Sequence, residues 1–137
     1  GQAVEWFDKG LERGDANAGA YAAYLILTEG AGGLSPADAA YRAGRAAALR
    51  DKKSVERARK VLEALPTEAV DEASQRLLQA LGADVTPDGA FGDSSKAAYQ
   101  TLADQHGDTS VETDPVERLI DIARIHWSTT PFRVDLY

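Results

Sequence analysis

The chain contains no cysteine among its 137 residues. A disulfide, a thiolate nucleophile and a cysteine-ligated metal are therefore excluded, and cysteine usage says nothing about the redox compartment. Methionine is absent as well and the sequence starts at Gly1, from which we expect a processed protein or a fragment of a larger one. The longest apolar stretch, residues 21–27, is too short to cross a bilayer, so we expect no membrane insertion.

Basic and aromatic residues are both scarce. The 15 Lys and Arg residues are outnumbered by 22 Asp and Glu residues, which gives a net charge of -7. Proteins that bind the phosphates of nucleic acids rely on clustered cations, so we expect no nucleic-acid partner. Aromatic residues make up 7% of the chain, and much of its 44% hydrophobic fraction is alanine, which favours closely packed helices over β-branched strands. The composition therefore predicts an all-α protein.

Helix start and stop signals occur along almost the whole chain. Expected N-caps are Ser35 before Pro36, Asp51, and Asp93 or Ser94, while Asp114-Pro115 with Glu117 has the pattern of a capping box. The predicted helices cover approximately residues 3–13, 18–29, 36–49, 51–65, 67–81, 94–105 and 115–125. Residues 128–137 contain alternating apolar side chains and are predicted to form an extended tail packed along the surface.

The first half contains an internal repeat. Residues Ala3, Trp6, Gly10, Leu11 and Gly14 are followed 37 positions later by Ala40, Ala43, Ala47, Ala48 and Asp51. A helix pair with this period is typical of a solenoid. Residues 3–50 resemble a Sel1-like repeat, a relative of the tetratricopeptide repeat, and the residues that carry the resemblance are Trp6, Gly14, Asp15, Ala18, Gly30, Ala31, Gly32, Gly33, Asp38, Ala40, Ala47 and Ala48. The resemblance implies a short helical-pair solenoid over residues 1–65 that binds a protein partner.

The stretch TPDGAFGDSSKAAYQ, residues 86–100, contains an unusually elaborate turn. Gly89 and Gly92 allow backbone angles that other residues resist, Asp88 can bond loop amides, and Phe91 can fill a small core. With Gln75 in the helix before the turn, residues 73–107 resemble the three-helix peptidoglycan-binding domain of bacterial cell-wall proteins. The resemblance implies a small helical domain over residues 66–127 that packs against the solenoid.

The second resemblance also implies a function and a ligand groove. The function is that of a non-catalytic bacterial protein of the periplasm or cell envelope that binds peptidoglycan or its stem peptides. The start of the helix near residues 94 and 95 provides unpaired amides and the positive end of the helix dipole, which favour a carboxylate or acyl oxygen. The predicted groove is lined by Asp88, Gly89, Phe91, Ser94 and Tyr99, with Gln75 on the far wall.

Other functions stay open at this stage. The chain could be purely a protein-interaction or structural tail of a larger enzyme, such as a caspase-like peptidase, with wall binding lost. Its many carboxylates leave a wall hydrolase as a third hypothesis. The sequence contains no enzyme motif, however, so we do not expect catalytic activity. The spacing of Asp84, Asp88 and Asp93 does not match an EF-hand loop, and His106 and His126 are isolated, so no metal or other cofactor is expected. Several aromatic residues could either line a groove or pack in the core, namely Trp6, Tyr21, Tyr24 and Tyr99.

Overall fold

The computed structural model describes residues 2–30, 33–108 and 111–130. Seven α-helices are found in this part of the chain: α1 (Gln2–Glu12), α2 (Ala16–Glu29), α3 (Pro36–Ala47), α4 (Lys52–Ala64), α5 (Thr67–Ala80), α6 (Asp93–Gln105) and α7 (Pro115–Ser128). The predicted all-α class is confirmed, and the predicted helix ends differ from these by no more than three residues. None of these helices has the length and apolar character that a membrane span requires. Most of the predicted tail, residues 131–137, lies outside the described residues.

Two helix starts are organised by the residues that the sequence indicates. At α3, Ser35 accepts a hydrogen bond from the Asp38 amide, and the Asp38 carboxylate accepts one from the Ser35 amide at 2.7 Å, which completes a capping box. At α7, the Asp114 carboxylate accepts hydrogen bonds from the amides of Val116 and Glu117, both at 3.1 Å. The predicted box at α7 is only half formed, because the Glu117 side chain pairs with Arg59 of α4 instead.

Two other expected caps differ in the structure. Asp51 occupies the N-cap position of α4 as predicted, but its side chain makes no bond to the helix backbone, and its carboxylate accepts the Ser54 hydroxyl at 2.9 Å instead. At α6, the N-cap position is occupied by Gly92 in an extended conformation, and the helix already begins at Asp93. The amides of the first turn of α6 therefore have no side-chain acceptor from an N-cap residue.

One buried cluster connects the two predicted parts of the chain. Helix α3 packs against α2, α4, α5 and α7, and its inward face is almost entirely alanine, which lets these helices approach closely. The boundary predicted at residue 65 falls between α4 and α5, and the cluster contains side chains from both sides of it. Its largest members include Leu11, Leu49, Leu62, Leu77, Leu78, Tyr99, Leu119, Ile120 and Trp127.

Gly44 of α3 packs tightly against Leu119 of α7 in this core. A Cβ atom at position 44 would lie 2.5 Å from Leu119 Cγ, which is closer than carbon atoms can pack. Gly44→Ala should therefore lower the free energy of unfolding by about 1 to 3 kcal/mol, measured by urea denaturation. In a Leu119→Ala background the same substitution should cost less, because the clashing isobutyl group is gone. An equal cost in both backgrounds would contradict this account of the contact.

Candidate functional site

The loop between α5 and α6 is bound on its inner side by the side chain of Gln75. This α5 side chain is only 1% exposed. Its Nε2 atom lies 3.1 Å from Asp88 Oδ1, 2.9 Å from the Ala90 carbonyl oxygen and 3.0 Å from Ser95 Oγ. Its Oε1 atom accepts a hydrogen bond from the Gly89 amide at 2.8 Å. Gln75 therefore fixes the shape of the loop with both ends of its amide.

Asp88 and Gly89 build the turn itself. The Asp88 carboxylate also accepts a hydrogen bond from the Ala90 amide at 2.9 Å, and this bond together with that from Gln75 holds the pKa of Asp88 below its ordinary value. Gly89 has a φ of +80°, which favours glycine, and a Cβ there would lie 2.9 Å from the carbonyl oxygen of Glu68. The loop thus docks on the first turn of α5.

Phe91 is half-buried at the edge of the core, so the expectation that it fills the core is corrected. One face of its ring is covered by the guanidinium of Arg118, whose Cζ lies 3.7 Å from the ring centroid. Arg118 is itself buried on α7 and donates a hydrogen bond to Asp71 of α5 at 2.8 Å. The loop therefore contacts α7 through Phe91 and Arg118, and the buried ion pair with Asp71 holds Arg118 in place.

Tyr99 lies away from the loop, in contrast to the sequence-based expectation. Its side chain is 1% exposed, because this position of α6 faces the core. Its hydroxyl donates a hydrogen bond to the Asp121 carboxylate of α7 and accepts one from the Glu112 amide at 2.9 Å. Tyr99 thus ties α6 to α7 and does not line the groove.

A polar groove of about 270 Å³ does open beside the loop. Of the six residues predicted for it, Gln75, Asp88 and Ser94 line it, whereas Gly89 and the two aromatic residues do not. The start of α6, which lacks a side-chain cap, opens into this groove. The other residues that line it are Asp84, Val85, Thr86, Ala90, Gly92, Asp93 and Ser95. Across residues 2–30, 33–108 and 111–130, no group of three or more His, Asp or Glu side chains is arranged to hold a metal ion.

A second surface is formed by α1 and α2, and we call it the α1–α2 surface. Trp6 is 74% exposed, and Tyr21 and Tyr24 are exposed as well. The ring of Tyr21 stacks on Phe7 at 5.8 Å between centroids, and the guanidinium of Arg57 from α4 lies 4.6 Å from the Tyr21 centroid. Beside these rings runs a groove of about 480 Å³, lined by Trp6, Phe7, Lys9, Gly10, Arg13, Asp15, Asn17 and Ala18.

These positions resolve the choice left open for the aromatic residues, because Trp6, Tyr21 and Tyr24 lie outside and Tyr99 lies inside. The buried apolar positions of α1 are Val4 and Leu11, one face of the helix at a spacing of seven. Trp6 follows Val4 by two residues, which rotates it by roughly 200° to the opposite face. The sequence therefore did contain a signal for the exposure of Trp6.

Asp121 is a buried acid that the sequence interpretation missed. Burial and a hydrogen bond with the Asp108 carboxyl raise its pKa to about 6, against the lowering effects of the Tyr99 hydroxyl and of Arg124. The signal was present as a single acidic residue inside the apolar run of residues 119–123. Asp121 therefore holds a proton at mildly acidic pH and shares the Tyr99 contact between α6 and α7.

This raised pKa makes stability depend on pH. The folded state holds the Asp121 proton more tightly than the unfolded state, so the stabilisation is present below pH of about 4 and is lost as the pH rises towards 6. Asp121→Asn, which mimics the protonated form, should gain about 2 to 3 kcal/mol relative to wild type between those pH values. The measurement is the difference in the free energy of unfolding between the two proteins at pH 4, 5, 6 and 7.

Tyr99→Phe serves as the matched variant for this titration. It removes the hydrogen bond that lowers the pKa of Asp121, so the loss of stability should move to higher pH. A difference between Asp121→Asn and wild type that stays constant from pH 4 to 7 would show that Asp121 is not titrating in this range.

Comparison of the chain with protein-family models, with curated proteins and with solved structures gave no match in any of the three searches. The Sel1-like and peptidoglycan-binding-like resemblances therefore stay predictions that depend on their sequence motifs.

Proposed function

We propose that this chain is a non-catalytic module that binds a protein partner through the α1–α2 surface. The observation that carries the proposal is the 74% exposure of Trp6. Burial of a tryptophan removes a large apolar area from water, and protein-binding hot spots are enriched in Trp, Tyr and Arg. All three residue types occur together on this surface, where the Sel1-like resemblance also predicts a protein partner.

Part of the α1–α2 surface, around Tyr21, is ordered by contacts within the chain. The ring of Tyr21 contacts both the ring of Phe7 and the guanidinium of Arg57. Arg57 is fixed in turn by a hydrogen bond of 2.9 Å to Asn17 of α2. A preorganised surface loses little side-chain entropy on binding, so more of the contact energy contributes to affinity.

Site-specific photo-cross-linking tests the proposal in the cells that express the protein. A photoreactive residue at position 24 should capture a partner, whereas the same residue at the exposed position 100 of α6 should not. With that partner purified, Trp6→Ala should raise the dissociation constant at least tenfold, since truncation of a hot-spot tryptophan costs about 2 kcal/mol or more. The matched control is Val111→Ala, another exposed apolar side chain. Equal effects of the two substitutions would remove the α1–α2 surface as the binding site.

Peptidoglycan binding by the loop groove is the second proposal, and it would place the protein in the bacterial periplasm or envelope. The observation in its favour is the start of α6, which has no side-chain cap and opens into a polar groove. Free amides at such a position are suited to an acyl or carboxylate oxygen of a stem peptide. Three carboxylates on the groove oppose an anionic polymer, namely Asp84, Asp88 and Asp93.

Titration of purified muropeptides into isotope-labelled protein tests the second proposal. Binding should shift the backbone amides of residues 84–95, and the folded protein should co-sediment with insoluble sacculi at low and moderate salt. Unmoved amides together with no co-sedimentation would leave the groove without a role in wall binding. Turnover of the muropeptides by the protein would contradict the non-catalytic assignment.

A further inference from the structure

Two acidic side chains of helix α1 pair with arginines of α3. Asp8 pairs with Arg42 of α3 at 2.7 and 2.8 Å, and Glu12 pairs with Arg45 of α3 at 2.6 Å. These two acids are thus neutralised by the neighbouring helix. The groove of the α1–α2 surface is lined instead by Trp6, Lys9, Gly10 and Arg13, which follow one another at helical spacing along α1.

The two cations that line this groove form no close ion pair, although the exposed Glu5 lies one helical turn before Lys9. Within the part of the chain that the structure describes, Lys9 and Arg13 take part in no ion pair. Arg57, at its edge, bonds to the neutral amide of Asn17. The carboxylate among the lining residues is Asp15, which accepts the Ala18 amide at 3.2 Å as the N-cap of α2. The residues that line the groove thus carry two positive charges against one negative charge, in a chain with a net charge of -7.

The spacing of these side chains matches an extended peptide. Lys9 and Arg13 are four residues apart, which is about 6 Å along the helix axis. In an extended chain, side chains on one face recur roughly every 6.4 to 6.8 Å, which is close to that distance. Acids at alternate positions of such a chain can therefore reach both cations. Trp6 lies one further turn along the same line and offers an apolar face.

We propose that the groove of the α1–α2 surface binds an extended acidic segment of the partner protein, with alternate carboxylates on Lys9 and Arg13 and an apolar side chain on Trp6. This inference rests on the proposed protein-binding function and names the class of partner. A neutral glycan strand could stack on Trp6 but would leave both cations unpaired, which makes the acidic segment the better complement to the groove.

The probe is a library of capped eight-residue peptides with glutamate at alternate positions and mixed apolar residues between them. A second library has glutamine in place of every glutamate. Binding is followed by the two tryptophan indole signals in nitrogen-labelled protein. Trp127 is an internal control, because its buried indole donates a hydrogen bond to the Arg45 carbonyl oxygen at 2.8 Å. The glutamate library should shift the Trp6 signal and leave the Trp127 signal in place. The shift should disappear in 0.5 M salt, because the Debye length is then only about 4 Å and the charges are screened.

Charge-removing variants locate the contact. Lys9→Gln combined with Arg13→Gln should weaken binding of the glutamate library at least tenfold. Lys60→Gln combined with Lys96→Gln removes the same charge from exposed positions on α4 and α6 and should change binding less than twofold. Equal weakening by both pairs would reduce the interaction to general charge attraction and overturn the proposal.

Two further results would overturn it. One is an equal response of Trp6 to the glutamine library. The other is a Trp6 shift with muropeptides but not with the glutamate library, which would make the groove a wall subsite.

The protein-binding function and the acidic segment can be tested separately. If Trp6→Ala weakens binding of the cross-linked partner while the Lys9 and Arg13 double variant binds it normally, the protein-binding function stands and the acidic segment is wrong.

Discussion

Replacement of Arg118 by methionine should lower the free energy of unfolding by about 3 to 5 kcal/mol. The substitution leaves the buried Asp71 carboxylate without its partner, because the Arg118 guanidinium donates a hydrogen bond of 2.8 Å to it in the native protein. It also removes the guanidinium from the face of Phe91, which releases the loop from α7. Chemical denaturation at pH 7 measures the loss.

Two further variants separate the ion pair from the loss of packing. Arg118→Met combined with Asp71→Leu should recover most of the stability, because no unpaired charge then stays in the core. Arg76→Met removes a guanidinium from a half-exposed pair with Asp38 and should cost about 1 kcal/mol or less. A loss for Arg118→Met no larger than that for Arg76→Met would show that the Asp71 pair does not support the fold.

Gln75→Leu should cost about 2 to 4 kcal/mol and loosen the loop before α6. The buried leucine would leave the Gly89 amide and the Ala90 carbonyl without the bonds that Gln75 provides at 2.8 and 2.9 Å. Hydrogen exchange of the amides of residues 86–92 should accelerate more than that of the helix amides. These changes are read from denaturation and from exchange rates on the same samples.

The matched control for this substitution is Gln79→Leu, one helical turn further along α5 and exposed. It should change stability by no more than about 0.5 kcal/mol, since it breaks no buried hydrogen bond. If both substitutions had the same small effect, the loop would not depend on Gln75.

The helices were predictable because their ends are set by neighbours in the sequence. The capping box of Ser35 with Asp38 and the cap at Asp114 need contacts over two or three residues only. The N-cap of α6 was misplaced by one or two residues, because Gly92, which has no side chain to cap the helix, occupies that position in an extended conformation. Local rules are therefore sufficient to place all seven helix starts to within two residues, but not to decide whether a capping bond forms at α4 and α6.

The loop was partly predictable for the same reason. The positive φ of Gly89 and the bond from the Ala90 amide to Asp88 follow from turn chemistry. The ion pair between Arg118 and Asp71, which holds Arg118 against the loop residue Phe91, joins residues 47 positions apart, and no local pattern indicates it. The burial of Tyr99 likewise depends on the face that α6 turns towards Asp121, and helical spacing alone does not separate a core face from a binding face.

The most direct test of the protein-binding account is a shift map of the labelled protein with the purified cross-linked partner, recorded beside the same titration with muropeptides. The account predicts that the partner shifts the Trp6 indole and the amides of α1 and α2, and leaves the Trp127 indole and the amides of α6 unchanged. Shifts confined to α6 and α7, with Trp6 unmoved by the partner, would contradict it.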